Sequence, residues 1–133
     1  LAVLDWLHQR DQMPIYTGLA NAQYLPSSMN VIEMDWWDRV SLLNVPEVQI
    51  VFTPAQHFSG RGLRDGNQAL WGGLSIVTPE GHLFFAGDTG YSAHFSEIRE
   101  RLGAPRLALL PIGAYEPRAI MRASSRVAPC WRM

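Results

Sequence analysis

Near the start of the chain, apolar residues are first spaced as in a helix and then occur in short runs typical of strands. Four side chains recur at helical spacing over residues 1 to about 10, which predicts the end of an amphipathic helix. Brief apolar runs predict strands at 14–18 and 31–34, with a weak helix over 19–25 between them. The first part of the chain is therefore expected to mix helix and strand.

The central part carries stronger strand signals. Apolar runs predict strands at 48–53, 70–77 and 82–86. The last two are separated by residues 78–81 (Thr-Pro-Glu-Gly), and proline followed by glycine is a turn signal, so we expect these strands to pair as a hairpin. Residues 55–69 are predicted to form a polar loop that contains several glycines.

Residues 92–102 carry the pattern of an amphipathic helix. Ser92 is expected to cap its first turn. Glu97 and Arg101 form a favourable i,i+4 pair, and the helix is predicted to end at Gly103. Its apolar side chains fall on one side: Phe95, Ile98 and Leu102.

A continuous apolar run at 107–112 follows this helix. Such a run is typical of a strand that is covered on both faces. With the strand at 83–86 and the helix at 92–102, it forms a predicted βαβ unit with a right-handed crossover. The predicted fold class is α/β.

Composition and charge narrow the class of protein. The 133 residues are 47% hydrophobic and 17% charged, which fits a globular domain. The net charge of −1 gives no general attraction to nucleic acid, so no nucleic-acid partner is predicted. Cys130 is the single cysteine, which excludes an internal disulfide framework and favours a reducing, cytoplasmic location.

Two of the predicted strands run into residues that can bind a metal ion. The strand that ends near residue 86 leads directly to Asp88, and the strand that ends at residue 53 is followed by His57. In open sheets, ligands gather beyond the carboxyl ends of the strands, so both side chains and the segment 113–116 are expected at one edge. Neutral imidazole and carboxylate are normal ligands of zinc.

The residues alone leave structural alternatives open. His57 fits a loop histidine bonded to a nearby carbonyl, and Asp88 fits an Asx-turn or a helix entry. The other histidines are predicted to be structural or at the surface, with His94 facing solvent in the first turn of a helix. Arg61 and Arg64 lie near His57 in the glycine-bearing loop, where guanidinium groups can offer paired donors to a phosphate.

Four strings, in the order in which they occur, carry a family resemblance. They are TPAQH at 53–57 with Arg61, NQALWG at 67–72, FAGDTGY at 85–91 and PIGAYEPR at 111–118. Together they resemble the metallo-β-lactamase fold hydrolases. The third and fourth strings resemble most specifically the branch of N-acylphosphatidylethanolamine-hydrolysing phospholipase D and its bacterial relatives.

The resemblance implies a fold, a cofactor and residue roles. The fold would be part of a four-layer αββα sandwich. His57 would bind one of two zinc ions and Asp88 would be the catalytic carboxylate that bridges both, so that water activated there attacks the phosphorus of a phosphodiester. Arg61 would hold the substrate phosphate. Three further residues would shape the floor of the site: Tyr115, Glu116 and Arg118.

The resemblance also implies limits. Residues 1–118 would be the central part of the domain, and 119–133 would be a tail outside the family, disordered or read out of frame. The family's histidine-rich ligand string does not occur in this sequence. The chain is therefore interpreted as a fragment of a longer zinc-dependent enzyme, catalytically inactive by itself.

Phospholipid or another phosphodiester is the expected substrate. Peripheral contact with a membrane and assembly as a homo-oligomer are left open. A lactonase or sugar-phosphate hydrolase of the same superfamily is the alternative, and a non-enzymatic fragment that pairs with a partner is another. Trp36, Trp37 and Phe58 fit the lining of an acyl groove or ordinary core packing.

Overall fold

The computed structural model describes residues 2–57 and 68–112. The described residues form two compact units, of which the first takes residues 2–35 and 68–70 and the second takes 36–57 and 71–112. The predicted tail at 119–133 lies outside the described residues and stays a prediction. Among the described residues, no helix combines the length and apolar character needed to cross a bilayer.

The first unit contains one helix and a two-stranded parallel sheet. Helix α1 spans Ala2–Asp11, and strands β1 (Ile15–Gly18) and β2 (Val31–Met34) pair side by side. These three elements confirm the sequence-based prediction. The weak helix predicted over 19–25 is reduced to a single 3-10 turn at Ala22–Tyr24, because Ala20 adopts a φ of 60°, outside the helical region.

The second unit is built on a five-stranded sheet with the order β3-β4-β5-β6-β7. Neighbouring strands are antiparallel except β6 and β7, which are parallel. The sheet is therefore mixed, which agrees with the α/β class and with the metallo-β-lactamase type of fold. Its strands are β3 Arg39–Leu42, β4 Val45–Thr53, β5 Gly73–Thr78, β6 Gly81–Phe85 and β7 Leu107–Leu109.

The hairpin predicted from the proline–glycine turn is present as β5 and β6. Ile76 pairs with Leu83 in its centre, and Thr78 pairs with Gly81 at the turn. Strand β3 was not predicted, since it is only four residues long and two of them, Arg39 and Ser41, are polar and exposed. It is held in place by antiparallel pairing with β4.

Helix α2, at His94–Leu102, completes the predicted βαβ unit between β6 and β7. The core of this unit combines Phe84, Ala86 and Ile98, each less than 5% exposed. Burial of such side chains is the main source of stability in a small domain. The partly buried side chains that pack against this core are Trp37, Phe95 and Leu102.

The start of α2 differs from the prediction. The N-cap position is Ala93, and no side chain caps the backbone there. Ser92 was expected to be the cap, but its Oγ lies 2.6 Å from Nδ1 of His94 instead. Ser92, one residue before the N-cap position, therefore bonds to the side chain of His94 rather than to the helix backbone.

Strand β7 also differs from the prediction of a strand at 107–112 covered on both faces. It spans only Leu107–Leu109, and all three residues are exposed. Within the described part of the chain β7 pairs only with β6, so it stands at the edge of the sheet. Leu107 and Leu109 align with Leu83 and Phe85 of β6, and all four side chains are more than 40% exposed.

Candidate metal centre

The topology of the sheet delivers two ligand-type side chains to the same edge. Strands β4 and β6 both run antiparallel to β5, which lies between them, so β4 and β6 point in the same direction. His57 follows the end of β4, and Asp88 follows the end of β6. The carboxyl ends of two strands therefore supply the site.

The two side chains meet. Nε2 of His57 lies 3.0 Å from Oδ2 of Asp88. The imidazole is mostly buried, with 21% of its side chain exposed, whereas 86% of the Asp88 side chain is exposed. The pair thus consists of an imidazole fixed in the protein and a carboxylate open to solvent.

Backbone hydrogen bonds clamp the two loops beside this pair. The N–H of Gly90 donates to the carbonyl of Gln56 over 2.8 Å, and the N–H of Gln56 donates to Oγ1 of Thr89 over 2.8 Å. Gln56 directly precedes His57, and Thr89 directly follows Asp88. The separation of the two side chains is therefore set by hydrogen bonds one or two residues away from each.

A glycine turn makes the close approach feasible. Gly87 has a φ of 67°, in the left-handed region that favours glycine. A Cβ at this position would lie 3.0 Å from the carbonyl oxygen of Gly72, on the segment that enters β5. The turn that presents Asp88 can pass over this segment because residue 87 has no side chain.

The donor chemistry of the pair fits a divalent metal ion such as zinc. Two ligands on one tetrahedral zinc, each about 2.0–2.1 Å from the metal, stand roughly 3.3 Å apart, close to the observed separation. Within residues 2–57 and 68–112, no cluster of three or more His, Cys, Asp or Glu side chains is found. His57 and Asp88 thus fit as part of a metal site, and their roles as ligands stay a prediction.

The remaining predicted site residues cannot be placed against this pair. Several of them lie outside the described part of the chain, namely Arg64, Phe58 and the segment 113–116. The same holds for the residues predicted to bind phosphate or shape the floor: Arg61, Tyr115, Glu116 and Arg118. Their roles stay predictions.

The tryptophans divide between two environments in the second unit. Trp36 is 36% exposed, and its indole N–H donates to the carbonyl of Trp71 over 2.7 Å. The rings of these two residues meet edge to face, with centroids 6.2 Å apart. Trp37 instead packs against the core cluster. Packing therefore accounts for Trp37, while Trp36 is partly exposed and contacts Trp71.

The prediction that His94 faces solvent is wrong. The residue is 8% exposed, and its ring bonds to Ser92 on one nitrogen and lies 3.3 Å from Oγ1 of Thr89 on the other. Burial lowers the pKa of His94, and the charge of Glu97 partly opposes this shift. Sequence reasoning missed Thr89 and His94 as site-supporting residues, although Thr89 lies within the motif that carried the resemblance.

A cavity of about 360 Å³ lies at the opposite end of the sheet, beside the turn between β5 and β6. His82, one of its lining residues, is 2% exposed and donates from Nε2 to the carbonyl of Gly103 over 3.1 Å. This histidine therefore has a structural role, as the sequence analysis allowed. The cavity is lined by Thr78, Gly81, His82, Leu83, Arg106 and Leu107.

Comparison with known proteins agrees with this geometry. Residues 4–130 match the family model described as the beta-lactamase superfamily domain. The chain belongs to the metallo-β-lactamase fold hydrolases. The match extends into the range 119–133, whose structure is not described here.

Relatives of this metallo-β-lactamase fold hydrolase place it in one branch of the family. The chain is 40% identical over 97 residues to N-acyl-phosphatidylethanolamine-hydrolyzing phospholipase D 1 of Caenorhabditis elegans, covering 71% of this chain and 27% of the relative. It is 45% identical over 93 residues to the mitochondrial enzyme of that name from Saccharomyces cerevisiae, covering 66% and 20%. The chain thus spans about a quarter of the length of these relatives.

A solved structure supports the same fold. A metallo hydrolase from the hyperthermophilic archaeon Ignicoccus hospitalis superposes with a TM-score of 0.67 at 26% identity, covering 84% of this chain and 46% of that one. The chain therefore belongs to the N-acylphosphatidylethanolamine phospholipase D-like branch of the metallo-β-lactamase fold hydrolases, and the resemblance noted in the sequence is confirmed at that level.

Proposed function

We propose that this chain is part of a zinc-dependent phosphodiesterase of the N-acylphosphatidylethanolamine phospholipase D type, in which His57 and Asp88 bind the metal. The observation that carries the proposal is the 3.0 Å separation of His57 Nε2 and Asp88 Oδ2 across two strand ends. A nitrogen donor and an oxygen donor at this separation suit one divalent ion.

The surroundings of each side chain support different tasks. His57 is mostly buried, so its imidazole is held in one orientation and can serve as a fixed ligand. Asp88 is exposed on a turn, where its carboxylate can serve as a ligand and still face solvent and substrate. When bound, a zinc centre supplies a Lewis acid that activates water and stabilises negative charge on an attacked phosphate.

The described pair supplies at most two protein ligands, and we propose that the remaining ligands are supplied by a longer parent protein. Two zinc ions are proposed for that complete protein, with His57 and Asp88 among the residues that would hold them, and this chain alone is proposed to be inactive. The choice of a phospholipid substrate follows the names of the relatives from Caenorhabditis elegans and Saccharomyces cerevisiae.

The test uses the protein expressed together with its flanking sequence. Zinc content and release of phosphatidic acid from N-acylphosphatidylethanolamine are measured for the wild type, for Asp88→Asn and for Asp5→Asn. Asp88→Asn keeps the shape of the side chain but removes a charged ligand, so we expect loss of bound zinc and a fall in activity of at least about a hundredfold. Asp5→Asn, on α1, makes the same chemical change outside the proposed site and is expected to behave as the wild type.

Two results would contradict the proposal. Full zinc content and full activity in Asp88→Asn would remove this carboxylate from the site. A wild type that binds zinc and opens a lactone or cleaves a sugar phosphate, but leaves the N-acylated phospholipid intact, would support the alternative substrate class within the same family.

A further inference from the structure

Thr89 sits at the junction of the two loops that carry the proposed ligands. It is 7% exposed, and its Oγ1 contacts three polar groups. These are the N–H of Gln56 at 2.8 Å, the carbonyl of Gly90 at 2.9 Å and Nε2 of His94 at 3.3 Å. A hydroxyl has one hydrogen to donate and two lone pairs, and these three contacts use all of them.

The hydrogen atoms of these groups can be assigned so that each contact has one donor and one acceptor. The Thr89 hydroxyl has one hydrogen, which it donates to the carbonyl of Gly90, leaving lone pairs for the N–H of Gln56 and for Nε2–H of His94. Nδ1 of His94 then accepts from the hydroxyl of Ser92, 2.6 Å away. Every group is satisfied when the imidazole is neutral, which agrees with the lowered pKa of the buried ring.

His94 is in turn anchored to the core of the second unit. As the first residue of α2, it is 8% exposed, and its ring packs on Phe95 with centroids 4.2 Å apart. Phe95 meets Phe84 of the core edge to face at 6.1 Å. A continuous set of contacts therefore runs from the sheet core through His94 to Thr89.

We propose that His94 is a positioning residue that acts through Thr89 to keep the loop of His57 and the loop of Asp88 at metal-binding separation. The effect of His94 passes through the Oγ1 of Thr89 to the N–H of Gln56, the residue next to His57. The inference rests on the proposed metal site and adds a supporting residue that the family comparison does not name.

The first test measures hydrogen exchange at the amide of Gln56 in this chain. Thr89→Val removes the acceptor and should speed exchange of this amide about tenfold or more, whereas Thr89→Ser keeps the hydroxyl and should leave it unchanged. His94→Leu should speed it by about threefold, since Thr89 then loses one partner. The amide of Ser75, in the middle of β5, serves as the internal reference because a general loss of stability would speed both amides.

The second test measures zinc affinity by calorimetry in the protein expressed with its flanking sequence. His94→Leu is expected to weaken zinc binding about tenfold, and His94→Gln, whose amide can donate to Thr89, should recover most of it. An unchanged Gln56 exchange rate and unchanged zinc affinity in His94→Leu would overturn the positioning role while leaving the metal site intact. A wild type that binds no zinc would instead overturn the proposed function, and with it the metal-holding role of His94.

Discussion

Gly73 and Phe85 approach so closely that a Cβ on Gly73 would lie 2.7 Å from the carbonyl oxygen of Phe85. The same Cβ would lie 2.9 Å from Oγ1 of Thr53, and real Cβ atoms essentially never come within 3.0 Å of such atoms. The ends of β4, β5 and β6 are thus drawn together at one point. This is the edge of the sheet from which His57 and Asp88 emerge.

Replacement of this glycine should therefore disturb the whole edge. Gly73→Ala is expected to lower the free energy of unfolding by about 1–3 kcal/mol, because the backbone carbonyl of Phe85 cannot move aside without disrupting strand pairing. Unfolding in urea provides the measurement. Ser41→Thr, which adds a methyl group on an exposed position of β3, is the control, and equal stability of the two variants would contradict the steric account.

The core of the βαβ unit can be tested with a matched pair of isoleucines. Ile98 is 3% exposed and packs against Phe84 and Ala86, whereas Ile76 is 41% exposed. Ile98→Ala should cost about 2–5 kcal/mol of unfolding free energy, since it removes buried methyl groups and leaves a cavity. Ile76→Ala should cost much less. If urea unfolding gave similar losses for both, the core would not lie where the structure places it.

The buried His94 predicts a specific pH dependence of stability. Burial lowers its pKa, and the charge of Glu97 opposes that shift only in part. As the pH falls through about 6.5, the unfolded chain takes up this proton before the folded protein does, so the free energy of unfolding decreases until the folded protein is protonated as well. His94→Gln removes this contribution and should flatten the profile between neutral and mildly acidic pH. Parallel profiles for wild type and variant, from urea unfolding at several pH values, would refute the assignment.

Arg101 makes two contacts, and single substitutions can separate their contributions to stability. Its guanidinium lies 2.9 Å from the Glu97 carboxylate and 4.1 Å from the centre of the Trp37 ring. Glu97→Gln should cost only about 0.3–0.5 kcal/mol, as is usual for an exposed i,i+4 pair. Arg101→Ala should cost about 1 kcal/mol, because it also removes the cation–π contact. Arg99→Ala, on the exposed side of α2, is the control, and thermal unfolding that ranked it with Arg101→Ala would argue against the ring contact.

The predicted and observed elements differ where contacts with segments distant in sequence determine whether a strand forms or is covered. The β5–β6 hairpin was predictable because its turn signal at 78–81 is local. Strand β3 was not, since it depends on pairing with β4. The apolar run at 107–112 was read as doubly covered, yet β7 is exposed because the described chain places no strand beyond it. Which strand stands at an edge is a property of topology that apolar content alone does not contain.

The same distinction applies to the candidate site. The two ligand-type residues could be found because each directly follows a strand, and strands of like direction end at one edge. Thr89 and His94 could not, since their bonds depend on the angle at which α2 leaves the turn after β6. A histidine in a first helical turn is usually exposed, and the contacts that bury this one, with Ser92, Thr89 and Phe95, are visible only in the folded structure.

The position of β5 between β4 and β6 has a consequence for folding. If β5 shifted by one residue against either neighbour, one strand end would move by about 3.4 Å along the sheet and its side chains would exchange faces. His57 and Asp88 would then be too far apart to hold the same ion. Binding of the proposed metal ion would accordingly stabilise the correctly aligned sheet and no misaligned one, so that ion binding would be coupled to strand alignment.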